Sequence, residues 1–449
     1  MTEVCPPGTV PGTVPGLRGP SVWRLLRDLR KIRNTPLEYL LDAHRKYGDV
    51  IPVWLGVPAL ILSGPADIRH VLIDSPEKYL KTGALVMGRK FFGEGLFTSE
   101  GEVHARKRRI VLPMMHKSRI ARYAQVMAEA AATEADRWPD GEAIDLPAAM
   151  THMTLNVIGR TLLGVDLSNE TEELSAGVTA ILEYLTYVVS TPIRLPAWPI
   201  NARYRAYCSA IARLDALVAR LITARRNKTG DDLLSLLLAA TDEQGTPLTD
   251  NEIRDEIMTL FAAGHETTAN ALVWTWQLLG ANPGAREKFH AEIDAASLPA
   301  DLQRLTYTQM VFNESLRLYP PVWEIARSAR ENDLLPSGVA VEKGMQVLIF
   351  PWVAHRNPRH FEEPARFIPE RFADGDKAGE FVFLPFSAGP RGCIGEQFAR
   401  MEALIALAVI GRTFALEPAP GGIPRPKPLL TLRPPDRFTM IARRRNVGR

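Results

Sequence analysis

The stretch FSAGPRGCIGEQFAR, residues 386–400, places one cysteine, Cys393, in a glycine-studded turn that runs straight into a helical pattern. The chain of 449 residues holds only two other cysteines, Cys5 and Cys208, which make neither a disulfide framework nor a CxxC pair for zinc. The turn lacks the Lys-Ser/Thr of a P-loop and the spacing of a dinucleotide fingerprint, so its glycines do not read as a phosphate cradle. A lone thiolate at a helix start is stabilised by backbone N–H groups and the helix dipole, and becomes a good ligand for a soft or borderline metal centre.

Haem iron fits, since it needs one protein ligand on its proximal side. Gly392 and Gly395 would let the backbone approach a flat macrocycle where a Cβ would clash. Phe386 can pack near the sulfur and Arg391 can face a propionate. Taken alone, Cys393 would read as a small buried hydrophobe.

A second decisive stretch begins at Thr249-Asp250-Asn251-Glu252, a capping box followed by a helical pattern with no proline until Pro283. About thirty residues at ~1.5 Å each give a rod of about 45 Å, long enough to be a scaffold. In its middle stands Ala263-Gly264-His265-Glu266-Thr267-Thr268, where a glycine weakens the helix and an acid sits in an apolar segment. His265-Glu266 invites a zinc-protease reading, but the residue four on from His265 is Ala269, which excludes HExxH.

Phe386, Gly389, Arg391, Cys393 and Gly395 match FxxGxRxCxG, and here the sequence resembles the cytochrome P450 haem-thiolate monooxygenases, from about Thr35 to the C-terminus. The resemblance implies a mainly α fold with small β-sheets and a long central helix beside the haem. It implies haem b, with Cys393 as iron ligand. Residues 263–267 look like the family's oxygen-binding stretch, in which the helix opens locally; Thr267 would hydrogen-bond dioxygen and Glu266 would connect to the proton supply. Glu314 and Arg317, three apart on a helix with a Thr306-to-Gln309 capping box, match ExxR; with Arg371 they are assigned to the fold and not to catalysis. His104, Arg108, Arg327, His355 and Arg391 are expected to serve the haem carboxylates, to which forked guanidinium donors are suited.

The remaining sequence bounds the function. With 54 basic and 51 acidic residues the net charge is +3, too balanced for a nucleic-acid binder by bulk charge. Three cysteines suit a reducing compartment, and the cytoplasm is the default. No segment reads as a signal peptide or membrane anchor. Residues 1–34 read as a Pro/Gly-rich N-terminal arm, opened by a GTVP repeat, and 35–449 as a single domain. Thr35-Pro36-Leu37-Glu38 reads as a capping box closed by Gly48, Val50 to Ser63 as two strands about Gly56-Val57-Pro58, with further β-like segments around Phe381 and Thr431.

The expected activity is insertion of one oxygen atom of O2 into a C–H or C=C bond of a lipophilic molecule, a terpenoid first, with fatty acids, macrolides and steroids behind it. By the resemblance, Leu85, Met87, Phe91, Phe92, Tyr184, Tyr187, Val188, Val189, Trp198, Phe261 and Ile325 line the pocket, with Arg89, Lys90 and Glu324 as polar anchors. Electrons would come from a ferredoxin or flavodoxin and its NAD(P)H-dependent reductase, drawn to a basic surface from His104 to Arg109 with Lys117 and Arg119, and the protein would act as a monomer. A peroxide-driven or isomerising haem-thiolate enzyme, and a non-catalytic haem sensor or apolar-ligand carrier, remain open; the Glu266-Thr267 pair argues for dioxygen.

Overall fold

The structure, a computed structural model, describes residues 17–82, 88–167, 171–190, 202–226, 228, 230–297, 299, 301–375, 381–420, 422–435 and 438–446. The chain forms two compact units: Met1–Gly83 with Arg317–Arg366 and Asp374–Cys393, and Ala84–Leu316 with Phe367–Ala373 and Ile394–Arg449.

The first unit is built on a mixed five-stranded sheet. Strands Val50–Trp54 and Pro58–Leu62 form the expected antiparallel hairpin, turned at Gly56, whose φ of 82° suits glycine. Pro58–Leu62 then pairs in parallel with Gln346–Ile349, which is followed by Ile325–Ala329 and the edge strand Tyr79–Lys81. Leu60, Leu62, Ile68, Val71, Leu72, Val347 and Ile349 close one core cluster beside this sheet.

Three local expectations change here. Residues 22–34, counted with the arm, form a helix, Val22–Asn34, because the Ser21 hydroxyl accepts from the Arg24 N–H and the sequence carries no proline between them and Thr35. Residues 1–16 of the arm lie outside the described residues. Thr35 precedes the helix Pro36–Tyr47, but its hydroxyl donates back to the Lys31 carbonyl (3.1 Å) and so closes the first helix instead of capping the second. Phe381 lies in a turn with φ of 54°, not in a strand.

The second unit is helical around Asp250–Ala281, 32 residues long. The capping box is present: the Glu252 N–H donates to Thr249 Oγ1 (3.3 Å) and the Thr249 N–H to Glu252 Oε2 (2.9 Å). Helix Leu146–Ile158 packs against it so closely that a Cβ on Gly264 would stand 2.8 Å from Ile158 Cδ1, which accounts for the glycine in mid-helix. A three-stranded antiparallel sheet, Glu142–Asp145, Thr439–Arg444 and Phe414–Pro418, completes the unit, with a two-residue hairpin pair Lys427–Pro428 and Leu432–Arg433 bracketing Thr431 as expected. The helix Thr306–Leu318 is not capped by Gln309. The Glu292 carboxylate accepts from the N–H groups of Tyr307 (2.6 Å) and Thr308 (2.7 Å), an anion at the positive end of the helix.

Candidate active site

The cysteine loop is held in shape by its own backbone. Ser387 (φ 59°) and Gly389 (φ 73°) are both left-handed, and a Cβ on Gly389 would lie 2.0 Å from the Leu72 carbonyl oxygen. A 3-10 turn, Gly389–Arg391, follows, and the Cys393 N–H donates to the Phe386 carbonyl (2.9 Å). Cys393 is left exposed, and Gly395, two residues on, is the N-cap of the helix Glu396–Thr413. The Arg391 guanidinium is fixed by donation to the Pro76 carbonyl (2.7 Å).

The middle of Asp250–Ala281 is the one interruption in an otherwise buried stretch. From Ile257 to Gly280 the described side chains are buried except at Ala263, Gly264 and Thr267, which share a face at spacings of one and four. The helix does not open there. It is continuous, and the carbonyls of Ala263 and Gly264 accept from the hydroxyls of Thr267 (2.6 Å) and Thr268 (3.1 Å). Glu266 points away from that face into protein. Its Oε1 accepts from Thr431 Oγ1 (2.5 Å) and from Arg433 Nε (2.6 Å), while Oε2 has no partner among the described residues. His265 is buried, donates from Nδ1 to the Phe261 carbonyl (2.7 Å), and burial lowers its pKa, so the neutral ring is a packing element.

One residue escaped the sequence reading. Glu402, on the helix Glu396–Thr413, is 1% exposed, and burial raises its pKa well above the ordinary value. Neither of its oxygens has a full hydrogen bond; the Thr268 hydroxyl is near enough to act in the opposite direction, but more weakly than burial. Its signal in sequence was an acid set against the apolar run Ala403 to Ile410.

Of the expected carboxylate partners, Arg327 is buried on the strand Ile325–Ala329, with Nη1 donating to the Ala326 carbonyl (2.9 Å). His104 and Arg108 stand one turn apart on the helix Gly101–Val111. His355 is a correction. It is fully buried, its Nε2 accepts from the Leu384 N–H (2.8 Å), and its Nδ1 lies 3.2 Å from the Arg317 carbonyl, to which it donates, so both ring nitrogens are used on backbone. The basic surface is a correction too: His104 and Lys107 are buried, Arg106 pairs with Asp242 and Glu252, and Arg109 with Glu243. Lys107 donates to the Glu94 carbonyl and faces Glu256 at 3.4 Å.

Glu314 and Arg317 are fully buried. Glu314 accepts from Arg371 Nε (3.1 Å) and the Ile368 N–H (2.9 Å), and Arg317 donates to the carbonyls of His355, Pro364 and Arg366. This geometry is structural.

Among the expected pocket residues, Leu85, Met87 and Trp198 lie outside the described residues, as does the side chain of Val189. Phe91 and Phe92 are core residues packed edge-to-face, and Phe261 and Ile325 are buried. Tyr184 stacks on Tyr207 at 4.6 Å, and the Lys90 ammonium lies against Tyr204 Oη (3.2 Å) and Cys208 Sγ (3.3 Å). Glu324, enclosed by protein although its side chain keeps some accessible surface, has its carboxyl pushed up to about 7 by burial.

A glycine-shaped loop presenting one thiol, an ExxR helix and a long helix with an acid-alcohol pair define a class, and the comparison with known proteins agrees with it. The chain belongs to the cytochrome P450 family, whose profile matches residues 15–442. It is 38% identical to a cyclooctatin synthase of Streptomyces melanosporofaciens, over 88% of this chain and 89% of that one. It is 35% identical to a cyclooctat-9-en-7-ol 5-monooxygenase of the same organism, over 92% and 90%. A pentalenene oxygenase of Streptomyces avermitilis is 32% identical over 98% of each chain. The protein is therefore a haem-thiolate monooxygenase, an oxidoreductase that incorporates oxygen from O2 and uses redox partners. Among the described residues no helix is long and apolar enough to cross a membrane.

Proposed function

We propose that the protein oxygenates a terpenoid, with Cys393 as the thiolate ligand of haem b. The carrying observation is the thiol of Cys393, the one exposed among the described residues, on a loop whose shape is fixed by Gly389 and by the Cys393 N–H bond to Phe386. The donor set fits that group. Among the described residues no cluster of three or more His, Cys, Asp or Glu could hold a metal ion, so a centre at Cys393 has to bring its other ligands with it, as a porphyrin does. The terpenoid reading draws on the relatives named for cyclooctat-9-en-7-ol and pentalenene and on the aromatic lining around Tyr184.

Haem, when bound through a thiolate, supplies the cleavage of dioxygen and the oxidising power for the insertion. Arg327, Arg391, His104 and Arg108 would hold its carboxylates. Thr267, on the open face of the long helix, would hold a proton at its Oγ1 and order water; Glu266, held by Thr431 and Arg433, would connect to the proton supply. His355 has no part in this, for the reason given above. Residues 35–449 would act as one catalytic domain, in the cytoplasm, as a monomer.

The reduced protein should bind carbon monoxide with an absorption band far to the red of that of a histidine-ligated haem, and Cys393→His should abolish the shift. Protein purified without haem, or a shifted band retained in Cys393→Ala, would overturn the assignment. Activity should also require a ferredoxin or flavodoxin with its reductase; full turnover with NADPH and this chain alone is the contrary result.

A further inference from the structure

The helix Val22–Asn34, VWRLLRDLRKIRN, has no buried residue although half of its surface is apolar. Ile32, Leu25, Leu29, Val22, Leu26 and Trp23 follow one another around that half. Only Leu25 and Ile32, at one margin, are half-buried; Val22, Leu26, Leu29 and Trp23 are 47%, 51%, 54% and 82% exposed. Five cations stand against one acid on the helix. Arg24 and Arg27 share Asp28, and Lys31 pairs with Asp42, but Arg30 and Arg33, which project within the exposed apolar arc, make no ion pair among the described residues.

A second apolar group belongs to the same unit. At the turn of the hairpin Val50–Trp54 and Pro58–Leu62, Trp54, Leu55 and Val57 are 37%, 58% and 43% exposed. The segment entering the helix lies directly on this hairpin, since a Cβ on Gly19 would stand 2.2 Å from the Pro52 carbonyl oxygen, two residues from Trp54. Together these two elements carry seven of the twelve large apolar side chains that are exposed among the described residues. Scattered singly, such residues need no explanation; gathered on adjacent elements, with a tryptophan in each and two arginines of the helix outside any ion pair among the described residues, they form a surface with a preferred neighbour.

We propose that this surface docks on an anionic lipid bilayer. The helix lies in the plane of the interface, with Trp23, Leu26, Leu29 and Val22 at the boundary of headgroups and acyl chains and Arg30 and Arg33 on lipid phosphates. The hairpin turn at Trp54 to Val57 is the second point of contact. Spanning is excluded, because 13 residues make a rod of about 20 Å against a hydrocarbon core of about 30 Å. A second copy of the chain is disfavoured as occupant, because it would set the same five cations against each other. Docking would bring the enzyme to where a lipophilic substrate partitions, but the inference does not depend on which substrate that is.

The test is flotation of the haem-loaded full chain with vesicles of phosphatidylcholine alone and of phosphatidylcholine with about a third phosphatidylglycerol, the lipid charge being the variable that acts on basic residues. The protein should float with the anionic vesicles, less so as salt rises, and stay with the aqueous fraction when vesicles are neutral. Arg30→Gln with Arg33→Gln should weaken partition about thirtyfold, at about fivefold per arginine. Trp23→Ser should weaken it as well, and should reduce the quenching of tryptophan fluorescence by bromine-labelled lipid to what Trp54 contributes. The carbon monoxide spectrum of every variant should be unchanged, which separates lost docking from lost fold. Wild-type protein that floats with neither vesicle, or with both alike, overturns the proposal without need of any variant. So does a dimer in sedimentation velocity that Trp23→Ser dissolves, since that would give the face to a second copy.

Discussion

The cysteine loop and the middle of the long helix each carry a short motif, yet their chemistry is fixed over different distances. Between Phe386 and Cys393 the chain sets its own shape: Ser387 and Gly389 take left-handed conformations and the Cys393 N–H closes on Phe386. The segment Ala263 to Thr268 is ordinary continuous helix. What makes it special comes from Thr431 and Arg433, which hold Glu266, and from Glu402, which lies beside Thr268. A loop can thus be specified by its own spacing, whereas the surroundings of a helical acid are set by residues more than a hundred positions away.

The sharpest way to break the loop is Gly389→Ala. The new Cβ meets backbone, the Leu72 oxygen at 2.0 Å, and the φ of 73° is strained for any L side chain, so the cost is at least about 2 kcal/mol, concentrated at the turn before Cys393. Haem content and the thiolate band should both be lost or sharply reduced. Gly284→Ala, on the helix Pro283–Ala295, is the control: its Cβ would meet nothing within 4 Å and its φ is not positive, so the band should survive. Equal behaviour of the two variants in a haem titration would show that the loop is not locally determined.

For the helix, Thr267→Ala should leave haem content, the carbon monoxide band and substrate binding nearly intact, because its hydroxyl bonds only to the Ala263 carbonyl within the same turn. Product per electron pair should fall about tenfold or more while hydrogen peroxide rises, since positioned proton transfer is typically worth ~10²–10⁴ in rate and leakage to peroxide hides part of that. Product and peroxide therefore have to be measured together. A variant that still converts nearly every electron pair into product passes the role to Thr268.

The legibility of the sequence follows the same division. The helix from Thr249 to Pro283 could be read because a capping box and a proline bound it, and the turn that carries Cys393 because its glycines sit at one spacing. The hairpin Val50 to Leu62 was legible for the same local reason. Its parallel pairing with Gln346–Ile349 was not, since nothing near either strand specifies a partner nearly 300 residues away. His355 was misread for a physical reason: a histidine in sequence looks like a donor, and only the fold shows both nitrogens spent on the backbone of Leu384 and Arg317. The run His104 to Arg109 was misread likewise, because Asp242, Glu243, Glu252 and Glu256 reach it from other elements.

Glu402 gives the smallest and most discriminating test of the helix side. Burial raises its pKa, so the folded chain keeps this proton at pH values where the unfolded chain has released it. The folded state then binds more protons than the unfolded one, and stability falls as pH rises. The contribution is complete below the ordinary glutamate value of 4.5 and is lost progressively above it. Glu256 and Glu324, also raised by burial, act in the same direction but are common to wild type and variant, so they cancel in the difference. Glu402→Gln removes the titration and keeps the volume. In urea unfolding of the haem-loaded enzyme, the variant should therefore gain on wild type steadily from pH 5 to pH 8, with midpoints closest at the acid end. A difference that stays constant across that range would mean that Glu402 is ionised in the folded protein and has a cation or water partner, as the Glu266 carboxylate has Arg433 for a neighbour.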